Sequence, residues 1–210
     1  MPRLEAFDML RHAEPDSGIE MNTATPELSS GLNIYFRDYL LENVYLRTTE
    51  TQRSEILALW RSEGAGIEAA DTERSSREAV FLVRAKSMEL AGVSTVALVR
   101  LKDGRRFYSC SLFLRRRDRV PYLMINVCDA TRDFLRNFKH PLSQPAGMLN
   151  INENPRLMRP GVRKLFARHG YRYWGQTSRG EDVWATEFGE PDRLGLSPSA
   201  AGAAAPGNVG

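Results

Sequence analysis

Apolar and polar positions divide this chain into stretches of different period. Between 79 and 114 lie three blocks rich in Val, Leu, Phe and Tyr: AVFLVRA (79–85), GVSTVALVR (92–100) and FYSCSLFL (107–114). Their β-branched and aromatic content predicts strands, and Asp103-Gly104 between the last two is a hairpin signal, so three adjacent antiparallel strands are expected. From Leu123 the period changes. Leu123, Val127, Ala130, Phe134 and Phe138 recur at helical spacing, with Asn126, Asp129, Arg132, Asp133 and Arg136 between them. This predicts a long helix packed on the sheet through Leu123, Val127, Ala130 and Phe134.

Shorter patterns flank this centre. NVYLR (43–47) reads as a strand, Thr48 and Thr49 lead into a capped helix carrying Ile56, Leu57, Leu59 and Trp60 to about Gly64, and 68–78 reads as a polar helix. Downstream, MLNIN (148–152) reads as a strand, Pro160 opens a helix that Gly170 ends, and 171–176 with 182–188 read as a closing strand pair. The two ends lack such patterning. Residues 1–33 mix Pro, Ser, Thr and acidic groups and read as a flexible extension, while 189–210, ending in SPSAAGAAAPGNVG, are too poor in large apolar groups to pack and read as a disordered tail. One domain over 34–188 is the expectation.

Composition changes this picture little. Lys and Arg outnumber Asp and Glu by 29 to 26, a small excess that pulls only weakly toward an anionic ligand. Cys110 and Cys128 show no paired spacing with His, so neither a metal site nor a disulfide framework is read, and a reducing cytoplasm is the expected compartment. No apolar run approaches the ~20 residues that cross a bilayer, so no membrane span is expected.

The order strand, two helices, three antiparallel strands, long helix, strand, helix, two strands resembles the GNAT N-acetyltransferase superfamily over about 43–188. The resemblance implies an α/β (α+β) fold with a central mixed, mainly antiparallel sheet flanked by helices, and a bacterial-type acyltransferase activity. In that family an Arg-x-x-Gly-x-Gly loop between a strand and the long helix holds the pyrophosphate of CoA. Here the matching segment is Leu114-Arg115-Arg116-Arg117-Asp118-Arg119-Val120-Pro121-Tyr122-Leu123-Met124. Arg119 takes the place of the family Arg, and Tyr122 and Met124 stand where its glycines would lie, although glycine is what lets backbone approach a ligand at positive φ. The resemblance implies acetyl-CoA or another acyl-CoA as co-substrate, held by Leu114, Arg115, Arg117, Arg119, Val120, Tyr122 and Leu123, and an amine-bearing small molecule or peptide as acceptor. Asn154, after the strand at 148–152, matches a family Asn and joins this donor-binding set. Leu165-Phe166-Ala167-Arg168-His169-Gly170-Tyr171 resembles the family's Leu-Tyr-x-x-x-Gly-Phe, with Phe166 in place of the Tyr that protonates the leaving thiolate.

Direct acyl transfer needs a base for the amine and donors for the developing oxyanion. Glu153, just after a strand, and Ser109, on the strand bordering the expected cleft, are the candidate catalytic residues. His169 and His140 read as structural, and Cys110, alternating with serines, reads as a small buried residue. The altered glycines and Phe166 also fit a non-catalytic GNAT-like binding or regulatory module. Arg156, Arg159, Arg163, Lys164 and Arg168 offer basic charge, but acidic residues are distributed throughout and no nucleic-acid motif is present, which argues against nucleic acid as a partner.

Overall fold

The computed structural model describes residues 32–64, 69–140 and 144–189. Most of the extension and tail expectations, at 1–31 and 190–210, fall outside these. Among the described residues eight strands form one sheet. Its order is β1 (Asn33–Phe36), β2 (Tyr39–Asn43), β3 (Ala79–Arg84), β4 (Leu90–Arg100), β5 (Arg106–Leu114), β6 (Gly147–Asn152), β8 (Asp182–Glu187) and β7 (Arg172–Gln176). Every pairing is antiparallel except β5 with β6. The mixed, mainly antiparallel sheet expected from sequence is therefore present, with the β3-β4-β5 meander at its centre.

α1 (Glu50–Ser62) starts at a capping box. The Gln52 N–H donates to Thr49 Oγ1 at 3.2 Å and the Thr49 N–H to Gln52 Oε1 at 2.9 Å, which satisfies two otherwise orphaned donors. Ile56, Leu59 and Trp60 pack with Leu82, Leu90 and Val93 on one face of the sheet. α2 (Ala69–Arg77) follows. The opposite face carries α3 (Leu123–Asn137) and α4 (Pro160–Arg168), whose apolar side chains join Tyr108, Cys110, Met148 and Trp184 in the largest core cluster. Gly170, at φ 81°, ends α4 in the left-handed conformation that glycine takes without penalty.

Two sequence expectations are corrected. The strand read at 43–47 lies earlier, at Tyr39–Asn43, as the second arm of a hairpin with β1 that the apolar pattern did not reveal. Val44 and Tyr45 are buried, but Leu46 has φ 60° and the Arg47 N–H turns back to Val44 O at 3.0 Å. Apolarity there reflects a buried turn rather than a strand. On α3, Leu123, Val127 and Ala130 are buried as expected, but Phe134 is only partly buried. Ile125, Cys128, Thr131 and Leu135 complete the inward face. The helix presents an arc wider than one i, i+4 row, and Phe134 lies at its margin, edge-on to Tyr45 and Phe81.

Among the described residues no helix is long and apolar enough to cross a membrane.

Candidate active site

The pair β5 and β6 is the one parallel junction in the sheet. The two strands meet only at Tyr108 with Met148, Ser109 with Leu149 and Cys110 with Asn150. Beyond that, β5 continues to Leu114 paired with β4 alone, and β6 to Asn152 paired with β8 alone. The sheet therefore opens between the carboxyl ends of two parallel strands, the position where ligands enter open α/β sheets. Gly92 holds β4 tight against one lip, because a Cβ there would stand 2.5 Å from Phe113 O and from Leu114 Cδ2.

The chain leaves β5 through a 3-10 turn (Arg116–Asp118) and enters α3. No side chain caps α3 and no acidic residue occupies its first turn. Its first N–H groups lack i−4 carbonyls and carry the positive end of the helix dipole. Tyr122, the residue before the helix, has φ 68° and ψ −9°. This is the left-handed conformation that glycine would supply, and the strain of a side chain there is of order 1–2 kcal/mol. The backbone thus adopts this conformation without a glycine, on a Tyr that is largely exposed.

The arginines of the loop differ in what they touch. Arg115 Nε donates to Asp118 Oδ2 at 2.5 Å, and Asp118, itself buried, also accepts from the Tyr39 hydroxyl at 3.1 Å. Burial works against the Arg115 charge, but the bond to Asp118 and the pair with Glu89 outweigh it and hold the guanidinium above its ordinary range. Arg117 Nη2 donates to Glu89 Oε2 at 2.6 Å, and Arg119 Nε donates to Leu114 O at 2.9 Å. The Arg116 N–H reaches Glu63 Oε2 at 3.2 Å. A cavity of about 480 Å³ lined by Ser62, Glu63, Gly64, Arg116 and Arg117 adjoins the loop on its α1 side, not between the split strands.

The remaining expected residues are dispersed. Leu114 is buried at the end of β5, Val120 is half-buried, and Leu123 is fully buried with its N–H on Val120 O at 3.3 Å. Asn154 caps a second 3-10 turn (Pro155–Met158), its side chain accepting the Arg156 N–H at 3.0 Å. Ser109 lies half-buried at the paired base of the opening, on the face shared by Phe107 and Phe113. Glu153 is exposed beyond the end of β6. It is four residues past Leu149, the partner of Ser109, so about 13 Å of strand separates the two.

Four polar groups were missed by sequence reasoning. Asn150, Asn152, Trp184 and Tyr171 are each at most 5% exposed, and the Asn150 and Asn152 Nδ2, Trp184 Nε1 and Tyr171 hydroxyl have no hydrogen-bond partner among the described residues. The signal was present in MLNIN, where two asparagines sit at alternate positions of an otherwise apolar strand. Beside them Asp182, with no exposed surface, accepts from Arg163 Nε at 2.6 Å and Nη2 at 2.7 Å and from Gln176 Nε2 at 3.1 Å. Phe166 is buried, stacked on Trp184 and edge-on to Tyr171. Burial pushes the Cys110 thiol up to about 12, which leaves it without nucleophilic thiolate at neutral pH. His169 bonds Asp129 through Nδ1 at 2.5 Å and ties α4 to α3. No group of three or more His, Cys, Asp or Glu among the described residues is placed to hold a metal.

An open sheet split between a three-strand meander and a βαββ unit, with a helix N-terminus at the split, is the architecture of the GNAT acetyltransferases. The chain is similar to the GNAT domain of PAT from S. lividans, at TM-score 0.53 and 10% identity over 75% of this chain and 96% of that one. It is also similar to a GNAT-family acetyltransferase from Streptococcus pneumoniae, at TM-score 0.50 and 10% identity over 71% and 99% of the two chains. No family model and no curated protein matches the chain. The protein has the GNAT fold.

Proposed function

We propose that the protein is an acyl-CoA-dependent N-acyltransferase, transferring an acetyl or longer acyl group directly to an amine on a small molecule or peptide. The observation that carries this reading is the opening between β5 and β6 beside an uncapped, acid-free helix start, with Tyr122 holding the left-handed backbone of the missing glycine. Anions bind such helix starts without further machinery. In this reading the first-turn N–H groups of α3, with Leu114, Arg115, Arg117, Arg119, Val120, Tyr122 and Leu123, hold the donor's phosphates. Arg117, largely exposed, can also grip them through its fork of N–H donors. Asn154 lines the other lip of the opening, and the domain spans 34–188.

The donor supplies a thioester already activated toward amines. The acceptor nitrogen attacks the acyl carbon, the C–S bond breaks, and one proton must leave the nitrogen while the thiolate gains one. Glu153, at the open end, is the proposed acceptor of the amine proton, and Ser109 the hydroxyl bordering the donor deeper in the split. Phe166 is buried and has no proton to give, so the thiolate is protonated by water. The same burial favours a second reading, a GNAT-like module that binds the donor without turning it over. The cytoplasm is the proposed compartment.

Calorimetry with acetyl-CoA, longer acyl-CoAs and free CoA tests the first step. Binding should appear for at least one of them. Arg117→Ala with Arg119→Ala should weaken it about tenfold or more, the loss expected for charged hydrogen bonds, without lowering the melting temperature by more than a few degrees. A well-folded sample that binds no CoA species removes the acyl-CoA reading. Binding without acylation of any amine in a panel selects the module.

A further inference from the structure

The loop's arginines are not equally committed, and the difference singles out one carboxylate that no reading above uses. Arg115 is tied to Asp118, which is buried and also fixed by Tyr39. Arg119 is turned onto the Leu114 carbonyl. Glu63 meets Arg116 mainly through the backbone N–H, its carboxylate lying 4.0 Å from Arg116 Nε. Glu89 stands apart. It follows Met88 at the tip of the β3-β4 hairpin, comes from a different element, and places one oxygen, Oε2, 2.6 Å from Arg117 Nη2 and 3.4 Å from Arg115 Nη1. Its side chain is 57% exposed, against 10% for Asp118. The Glu89 backbone is held independently, its carbonyl accepting the Ala85 N–H at 3.0 Å, so the carboxylate can swing away without disturbing the hairpin.

We propose that Glu89 is the residue that sets the charge threshold of the phosphate site, occupying Arg117 and Arg115 as an internal anion that an incoming ligand must displace. The proposal rests on the phosphate-binding reading of this loop. Arg115, Arg116 and Arg117 meet three carboxylates, Asp118, Glu89 and Glu63, and with Arg119 on a carbonyl the loop carries little net charge while Glu89 is docked. A single carboxylate or chloride brings no more charge than the group it would replace. A diphosphate brings more, can engage the freed guanidinium bidentately, and can reach the α3 N–H groups together with it. Glu89 thereby selects for polyphosphate-bearing ligands over simple anions. The barrier is low, because exposed ion pairs are individually weak. It therefore tunes affinity rather than closing the site.

Calorimetric titration of inorganic pyrophosphate, orthophosphate and CoA into the full chain tests this. Glu89→Gln should bind pyrophosphate and CoA roughly threefold to tenfold more tightly, as expected for removing two weak competing pairs. It should also raise orthophosphate affinity, narrowing the discrimination between the two inorganic anions. Glu187→Gln is the control. It changes net charge equally, but its strand position pairs with Gly147, at the end of β6 away from the opening, and it should leave all three affinities unchanged. An equal gain in the control, or unchanged or weaker binding in Glu89→Gln, overturns the proposal while wild-type CoA binding leaves the donor site standing. If the wild type binds none of the probes, the loop is not a phosphate site and both ideas fall.

Discussion

Arg163→Ala tests how the β6 side of the opening is held. Asp182 has no exposed surface and receives two short bonds from the Arg163 guanidinium, at 2.6 and 2.7 Å. It sits opposite Asn152, the last residue of β6, so the pair ties α4 to the sheet at the lip of the split. Truncating the arginine leaves a buried carboxylate with Gln176 at 3.1 Å and the Tyr173 hydroxyl at 3.4 Å as its donors. Removing one partner of a fully buried pair costs about 3–5 kcal/mol. Arg163 is 41% exposed, so water enters the vacated space and the expected cost falls to about 2–4 kcal/mol. For a chain of this size that is a drop of about 5–15 °C in melting temperature, read by calorimetry or far-UV dichroism. Arg163→Met with Asp182→Asn removes both charges and should recover most of the loss, because the pair's attraction roughly balances its own desolvation. If Arg163→Ala shifts stability by less than about 0.5 kcal/mol, the carboxylate is not held as described. A double variant no better than the single would show that the geometry of the bonds, not the charge balance, is what matters.

Leu135→Ala should cost about 2–5 kcal/mol in urea denaturation, because the side chain is fully buried, and Phe134→Ala clearly less than a buried Phe would, because its ring lies at the margin of the helix face. Equal costs would put the helix face in the wrong orientation. Both cysteines are buried, and burial raises Cys110 to about 12 and Cys128 well above its ordinary value. A raised thiol pKa means less thiolate at any pH below it, so neither cysteine should react with a disulfide reagent at pH 8 or 9 until the chain is unfolded in guanidinium. Rapid labelling of native protein would contradict their burial.

The chain's own pattern determines much of the fold. Strand blocks of β-branched and aromatic residues, a 3.6-residue stripe from Leu123, and the cap at Thr49 are local signals, each tied to backbone geometry a few residues long, and β3 to β5, α1, α3 and α4 follow them. What depends on contacts across the chain was not legible. The β1-β2 hairpin is too short to show a period, and Val44 and Tyr45 are apolar because a turn is buried there. Phe134 and Leu135 are both apolar neighbours on one helix, and only the packing partners decide which faces inward. The Arg-rich loop was readable as a candidate anion site from its place before the long helix, but not its internal balance. Glu89 lies 28 residues from Arg117 in sequence and meets it only because the β3-β4 hairpin folds alongside β5. The left-handed Tyr122 is likewise a tertiary outcome, since its own preference runs against that conformation and the fixed ends of β5 and α3 impose it. The asparagines of β6 stood in plain view in the sequence, and only the burial of their strand face turned them into unpaired polar groups at the split.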